Sequence, residues 1–137
     1  MKRDERGAMA IEVVILTPAL VAAIMVIAGG ARYVDARGQV NGAAYAAARA
    51  ASLTTNQEAA VQAGTKAAEQ SMSRRGLACA SLLVSVDAGD FNPGGDVSAT
   101  VTCVADLSDV AGVGAIPGSK TFRFTAVVPL EEHRDFP

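Results

Sequence analysis

The sequence of 137 residues predicts an α+β fold with a long, partly transmembrane N-terminal helix, a second helix and a small three-stranded antiparallel sheet. Nineteen residues without a charge run from Val13 to Ala31, which is long enough for a membrane-crossing helix. Helix-forming residues continue to Gly76. Beyond it, apolar and polar residues alternate with the period of two that is typical of half-buried strands.

The uncharged run belongs to a helix that we expect to extend from about Ala8 to Ser52. At 1.5 Å per residue, the run would span roughly 28 Å, close to the thickness of a hydrocarbon core. Pro18 should bend the helix, and neighbours or a side chain such as Thr17 are expected to bond the carbonyl oxygen that the proline leaves free. Glu12 is unusual, because a charge at the centre of a bilayer costs roughly 2.5 to 3.5 kcal/mol and therefore needs a partner.

Basic residues before the run favour a cytoplasmic N-terminus, with everything after Ala31 outside the cell. They are Lys2, Arg3 and Arg6. Two basic residues that follow the run, Arg32 and Arg37, reduce the difference in basic charge between its two ends. Two alternatives are a plain uncleaved anchor and an ordinary cleaved secretory signal, for which residues 29–31 would be a poor cleavage site.

Small residues recur every four positions on the outer part of the first helix, at Gly38, Gly42, Ala46 and Ala50. This spacing places them on one ridge that permits the close approach of another helix. An alanine-rich composition could produce the same spacing by chance.

A second helix of about twenty residues follows a short break. Thr55 and Glu58 fit a capping box at its start, and Gly76 fits a C-cap after two arginines. We expect this helix to fold back on the first.

Three strands are predicted after Gly76, as an antiparallel meander. Their apolar faces contain Leu82 to Val86, Val97 to Leu107 and Phe122 to Val128. Loops rich in glycine, aspartate and proline separate them.

The positions of the two cysteines bear on the predicted strand pairing of the first hairpin. If Val86 lies opposite Val97 and Leu82 opposite Val101, Cys79 comes within one position of Cys103. We therefore predict a disulfide in an oxidising exterior, provided that Cys79 precedes the strand or a bulge intervenes. This disulfide would stabilise the fold by about 3 kcal/mol in the chain-entropy model. The alternative is two buried free thiols.

The composition excludes several functions. A net charge of −2 gives no electrostatic case for nucleic acid. One histidine and two cysteines cannot assemble an ordinary zinc site. We find no catalytic constellation, so we expect no enzyme activity and no cofactor.

Several polar or reactive residues have simpler explanations than chemistry. A crowded acidic loop could offer oxygen ligands to calcium, but its spacing matches no calcium-loop pattern and turn formation explains it better. Its residues are Asp87, Asp90, Asn92 and Asp96. We interpret Tyr33 and Tyr45 as packing or interface residues, and His133 as part of a solvated tail.

The N-terminal string Gly7-Ala-Met-Ala-Ile-Glu12 resembles the processing site of type IV prepilins. In that family a membrane peptidase cuts after the glycine, and the glutamate becomes the fifth mature residue. The resemblance implies that the new amine of Ala8 pairs with Glu12, within one subunit or between neighbours. Two opposite charges that leave water together recover much of each other's desolvation cost, so Glu12 would fix the register of assembly.

The closest resemblance within the pilin superfamily is to the TadE-like pseudopilins of the tight-adherence, or Flp, pilus systems. It is carried by RGAMAIEVVILTPAL, by RYVDARGQVNGAAYAAARAAS and by a C-terminal part made of strands. The resemblance implies a minor pilin, since the major pilins of these systems are much shorter. The expected partners are the prepilin peptidase, other pilins or pseudopilins, the membrane, and indirectly the assembly platform and its ATPase motor.

The resemblance divides the chain into a leader, a transmembrane helix, an extracytoplasmic helical region and a β-rich region with the cysteine pair. Their expected bounds are 1–7, 8–31, 32–76 and 77–137. The protein would sit in the bacterial cytoplasmic membrane and could enter a surface pilus. Alternatives are a static anchored protein with an extracytoplasmic binding domain, a pseudopilin of a type II secretion-like system, and an exported hydrolase, for which no catalytic set is found.

Overall fold

The computed structural model describes residues 5–108 and 117–133, with side chains from Ile11 onward. Two helices precede three strands, which confirms the predicted α+β fold. The elements are α1 (Glu5–Ser52), α2 (Gln57–Arg75), β1 (Cys79–Asp87), β2 (Asp96–Asp106) and β3 (Ser119–Pro129).

α1 is one helix of 48 residues that begins before the predicted Ala8 and continues through Pro18. The Thr17 hydroxyl donates to the carbonyl oxygen of Val13 at 2.7 Å. The expectation that Thr17 bonds the oxygen freed by the proline is therefore wrong. A proline removes the hydrogen bond to the residue four positions earlier, which here is Val14.

α2 begins one residue later than a cap at Thr55 requires. Asn56 has extended backbone angles, and its side-chain oxygen accepts from the backbone N–H of Ala59 at 2.8 Å. The predicted capping box of Thr55 and Glu58 is thus wrong, because asparagine is as good an N-cap as threonine and stands one position nearer the helix. The predicted C-cap is confirmed, since Gly76 has a φ of 77° in the left-handed region.

α2 folds back on α1 through small side chains. A Cβ added at Gly64 would lie 2.8 Å from Cγ2 of Val86 and 3.1 Å from the carbonyl oxygen of Ala47, so the two helices approach at this point as closely as glycine allows. The alanines of α1 that are fully buried in the body are Ala43, Ala44, Ala47, Ala48 and Ala51.

The sheet has the order β1-β2-β3, and both pairs are antiparallel. The predicted register of the first hairpin is wrong by two residues, because Val86 pairs with Ala99 and not with Val97. Leu82 likewise pairs with Cys103. A shift of two positions keeps the same side chains on the buried face, so the alternation of apolar residues does not distinguish the two registers.

A disulfide joins Cys79 to Cys103, with the Cα atoms 5.4 Å apart. The register shifts between Cys79 and Ser81, and such a bulge is one of the two conditions that the prediction allowed. Cys79 pairs with Ala105, two positions from its disulfide partner. The bridge therefore ties the start of β1 to the end of β2.

One face of the sheet packs against both helices, and the other face is open. The main core contains Val40 of α1, Met72 of α2 and Val101 of β2. A second, smaller cluster closes the far end of the body. It consists of Ala51, Ala60, Ala88, Val97 and Leu130, with Val86 and Phe91 packed against it.

Candidate functional site: the exposed apolar segment of α1

The N-terminal half of α1 exposes its apolar side chains instead of packing them into the body. No residue from Ile11 to Asp35 is buried, and Ala36 is the first that is, at 2% exposure. Val26 is 75% exposed. The most apolar window of the helix has a mean hydropathy of 2.5 with none of its residues buried, so this segment is long and apolar enough to cross a membrane.

Glu12 lies one residue into this exposed segment. Its side chain is exposed, and it has no ion-pair partner within residues 11–108 and 117–133. The backbone at Gly7 and Ala8 is helical, whereas side chains are described only from Ile11 onward. The predicted processing after Gly7 and the predicted pairing of Glu12 with the amine of Ala8 both stay predictions.

An apolar groove runs along α1 beside Pro18. Val13, Leu16 and Leu20 line it together with smaller neighbours, around a volume of about 440 Å³. The proline leaves the carbonyl oxygen four residues earlier without its helical donor. This part of α1 therefore offers an apolar surface to a neighbouring helix or to lipid.

The predicted ridge of small residues runs beside the α1–α2 contact and is not its buried seam. Gly38 is exposed, and a Cβ added there would meet nothing within 4 Å. At Gly42 a Cβ would lie 3.4 Å from the guanidinium of Arg75. Ala46 and Ala50 are half-buried. Packing of this ridge against another subunit stays a prediction.

Two aromatic contacts hold the sheet against α1 just beyond the apolar segment. The rings of Tyr33 and Phe122 are 5.4 Å apart, and the guanidinium of Arg37 lies 5.4 Å from the ring centre of Phe124. The sequence predicts a packing or interface role for Tyr33 but does not identify its partner. The signal available in the sequence was the pair of phenylalanines on one face of the last predicted strand.

The remaining residues considered for chemistry lie apart from this segment. The carboxylate of Asp87 accepts from the backbone N–H of Gly89 at 2.9 Å, which is a turn contact. The part of the chain that the structure describes contains no group of three or more histidine, cysteine or acidic residues able to hold a metal. Tyr45 is 57% exposed, and His133 lies in an exposed tail.

Residues 7–49 match the family model described as TadE-like protein. This part of the chain is TadE-like. The match covers Glu12, Pro18 and all of the small-residue ridge except Ala50, and it ends before α2. Searches of curated proteins and of solved structures found no match to the chain.

A minor pilin related to Tad pili is the role that this match suggests for the matched segment. The TadE-like family is a family of structural components and not of enzymes. The exposed apolar half of α1 agrees with single-pass anchoring in a membrane. The TadE-like segment thus contains the apolar stretch, its one carboxylate and the first part of the helix that the body packs against.

Proposed function

We propose that this protein is a minor pilin, or pseudopilin, that serves in the assembly of a Tad-type pilus. A membrane-inserted precursor loses residues 1–7 to a prepilin peptidase, and its apolar helix then moves from the lipid into a bundle with other pilins. The assembly platform and its ATPase act on this bundle. The observation that carries the proposal is an unburied apolar helix with one carboxylate, inside a TadE-like match.

The exposed apolar side chains support a role in which the helix always has an apolar environment. Fully burying a side chain such as Ile15 or Leu16 is worth about 1.5 to 3 kcal/mol relative to water, and these two are 66% and 59% exposed. A bilayer supplies this burial to a single subunit. A bundle of similar helices supplies it to an assembled one, so the same surface serves both states.

Glu12 supports a fixed register between neighbouring helices. A lone carboxylate in an apolar bundle is costly, and an amine at the mature N-terminus, Ala8, would compensate it. One helical turn separates Ala8 from Glu12, so the pair can form within one subunit or across two. A subunit that docks out of register would bury the carboxylate alone.

The folded body is proposed to lie outside the cytoplasmic membrane, with the N-terminus of the precursor in the cytoplasm. Residues 8–31 of α1 are proposed to span the membrane. Residues 32–76, which contain the rest of α1 and all of α2, are proposed to lie outside it together with the β-rich part, 77–137. The Cys79–Cys103 disulfide supports an oxidising compartment for that part, since cytosolic thiols are kept reduced.

Replacing Glu12 with glutamine in a host with a working Tad system tests the proposal. The variant should be cleaved normally but recovered in sheared pilus fractions, or in crosslinks to other pilins, at least tenfold less than the wild type. Glu69→Gln, an exposed carboxylate on α2, is the matched control and should assemble normally. Normal incorporation of Glu12→Gln would contradict the register role of Glu12, whereas absence of the wild-type protein from both fractions would favour a static anchored protein with an extracytoplasmic binding domain.

A further inference from the structure

The sheet has two open edges, one on β1 and one on β3. Its order is β1-β2-β3, so within the described residues no further strand pairs with the outer side of β1 or of β3. An open edge presents backbone N–H and C=O groups to any other chain, and natural proteins protect such edges with charges, proline or a bulge. The protection of each edge therefore indicates whether it can serve as an interface.

The edge of β1 is poorly protected along most of its length. From Cys79 to Val86 the strand contains no charged residue and no proline, and its bulge lies at the very start, before Ser81. Leu83, in the middle of the strand, is 68% exposed on the open face of the sheet. The apolar side chains on the other face are only half-buried: Leu82, Val84 and Val86. This edge has the apolar character of an interface.

Membrane anchoring fixes the direction in which each copy of the chain presents its strands. Tyr33 contacts Phe122 and Arg37 contacts Phe124, so α1 and β3 run the same way, away from the apolar segment. β1 is parallel to β3, since both are antiparallel to β2. Two copies anchored in one membrane thus have all these edges pointing in the same direction. An antiparallel contact between two β1 edges would turn one copy upside down.

The charges on the edges favour a contact between β1 and β3 over a contact between identical edges. The exposed side chains of β3 include Lys120 and Arg123, whereas the one charge of β1 is the carboxylate of Asp87. A parallel contact between identical strands would bring like charges level with each other, which is destabilising. A contact between β1 and β3 brings together edges of opposite charge.

The anchors also hold the two copies at one height, so residues at the same level of the sheet meet. Leu83 pairs with Thr102, and Thr102 pairs with Arg123, so these three residues lie level across one sheet. When β3 of a second copy continues the sheet beyond β1, Leu83 lies beside Arg123 of the second copy. The apolar stem of an arginine covers a leucine while its guanidinium stays in water. The contact thus covers the exposed apolar side chain of β1.

We propose that the β1 edge of one copy pairs in parallel with the β3 edge of a second copy of this chain in the membrane. The contact is head-to-tail, because it uses two different edges and leaves one edge of each kind free. It can therefore be repeated into a row of copies that share one orientation. The proposal rests on the proposed membrane anchoring, and it names a second copy as one partner in assembly.

Disulfide cross-linking between two differently tagged copies in native membranes tests the contact. One copy carries Ser85→Cys and the other Thr125→Cys, at exposed positions that are level through Thr100. The native cysteines are joined to each other and do not compete. We expect a dimer that contains both tags. Thr121→Cys in place of Thr125→Cys is the matched control. It lies four residues, roughly 13 Å, along the same strand and should give at least fivefold less dimer.

The sign of a charge at position 83 tests which residue lies beside it. Leu83→Lys would face Arg123 of the second copy and should lower the yield of the mixed dimer at least fivefold. Leu83→Glu should keep at least half of the yield, because its charge is opposite to that of the arginine. Leu83 is largely exposed, so both variants should keep the native disulfide and the helical circular dichroism of the wild type.

Several results would overturn the proposal. A dimer formed by Ser85→Cys alone, at the yield of the mixed pair, would mean that two β1 edges meet. Equal yields from Thr121→Cys and Thr125→Cys, or equal loss with lysine and glutamate at position 83, would contradict the parallel, level contact. The cross-link is also measured with Glu12→Gln in both copies, where it should persist. A membrane-bound protein without the cross-link would refute this contact alone, whereas absence of the protein from the membrane fraction would refute the anchoring as well.

Discussion

Replacing Gly64 with alanine should destabilise the folded body, although alanine is the better helix former. The new Cβ would lie 2.8 Å from Cγ2 of Val86 and 3.1 Å from the carbonyl oxygen of Ala47. Val86 is β-branched and is held in β1, so its side chain has few alternative rotamers. The Ala47 oxygen belongs to the backbone and cannot rotate away. The two helices must therefore move apart.

The magnitude follows from two opposing terms. Alanine in place of glycine in a helix contributes about 1 kcal/mol of stability. Overpacking a well-packed contact costs about 1 to 3 kcal/mol, and the upper half of this range applies because one clash is with backbone. The net loss at Gly64 is thus about 1 to 2 kcal/mol. Gly38 gives the matched control, since its Cβ would meet nothing within 4 Å, and Gly38→Ala should stabilise by about 1 kcal/mol.

Urea unfolding of the full-length protein in detergent micelles measures both variants. Tyrosine fluorescence reports on the body, because Tyr33 packs against Phe122 in the wild type. The two variants should differ by about 2 to 3 kcal/mol, with Gly64→Ala the less stable. If Gly64→Ala proves as stable as Gly38→Ala, the close approach of α1 and α2 is not as described and the reasoning fails.

Three further predictions concern processing, the disulfide and the start of α2. Gly7→Ala should block or slow cleavage by a prepilin peptidase, so a membrane-bound species that keeps residues 1–7 should accumulate on a gel; normal processing would contradict the assigned site. Replacing Cys79 and Cys103 with serine should lower the stability by about 3 kcal/mol, measured by urea unfolding, and no change would mean that the bridge does not form. Asn56→Ala should cost about 1 kcal/mol in the same assay, whereas Thr55→Ala should be nearly neutral; the reverse order would restore the cap at Thr55.

The order and type of the elements could be predicted from the sequence because each has a strong local signal. The uncharged run, the C-cap at Gly76 and the alternation in β2 depend only on neighbours in the chain. The disulfide could be predicted because an even error in register leaves Cys79 and Cys103 close together. Local patterns were thus sufficient for features that do not change when a helix end is misplaced by one turn or a strand register by two residues.

The hairpin register could not be predicted, because a long loop determines it. Ala88 and Leu130 pack with Val97 in the far cluster, and the backbone N–H of Leu130 donates to the carbonyl oxygen of Gly95 at 2.7 Å. These contacts pair Val97 with β3 beyond the end of β1. The contacts of Leu130 with Gly95 and Val97 join residues more than thirty positions apart, which no local pattern reports.

The candidate site divides in the same way. The apolar segment and Glu12 are visible in the sequence because a single charge stands out in an uncharged run. The contacts of Tyr33 with Phe122 and of Arg37 with Phe124 are not visible, because α1 and β3 are distant in the sequence and only the fold brings them together.

The mass of the mature protein purified from its native membrane tests the central claim most directly. The proposed role requires an amine beside Glu12, and that amine exists only after the peptide bond following Gly7 is cut. We predict an intact mass and an N-terminal sequence that begin at Ala8. A functional protein that keeps residues 1–7 would contradict the account and leave a tethered surface domain in its place.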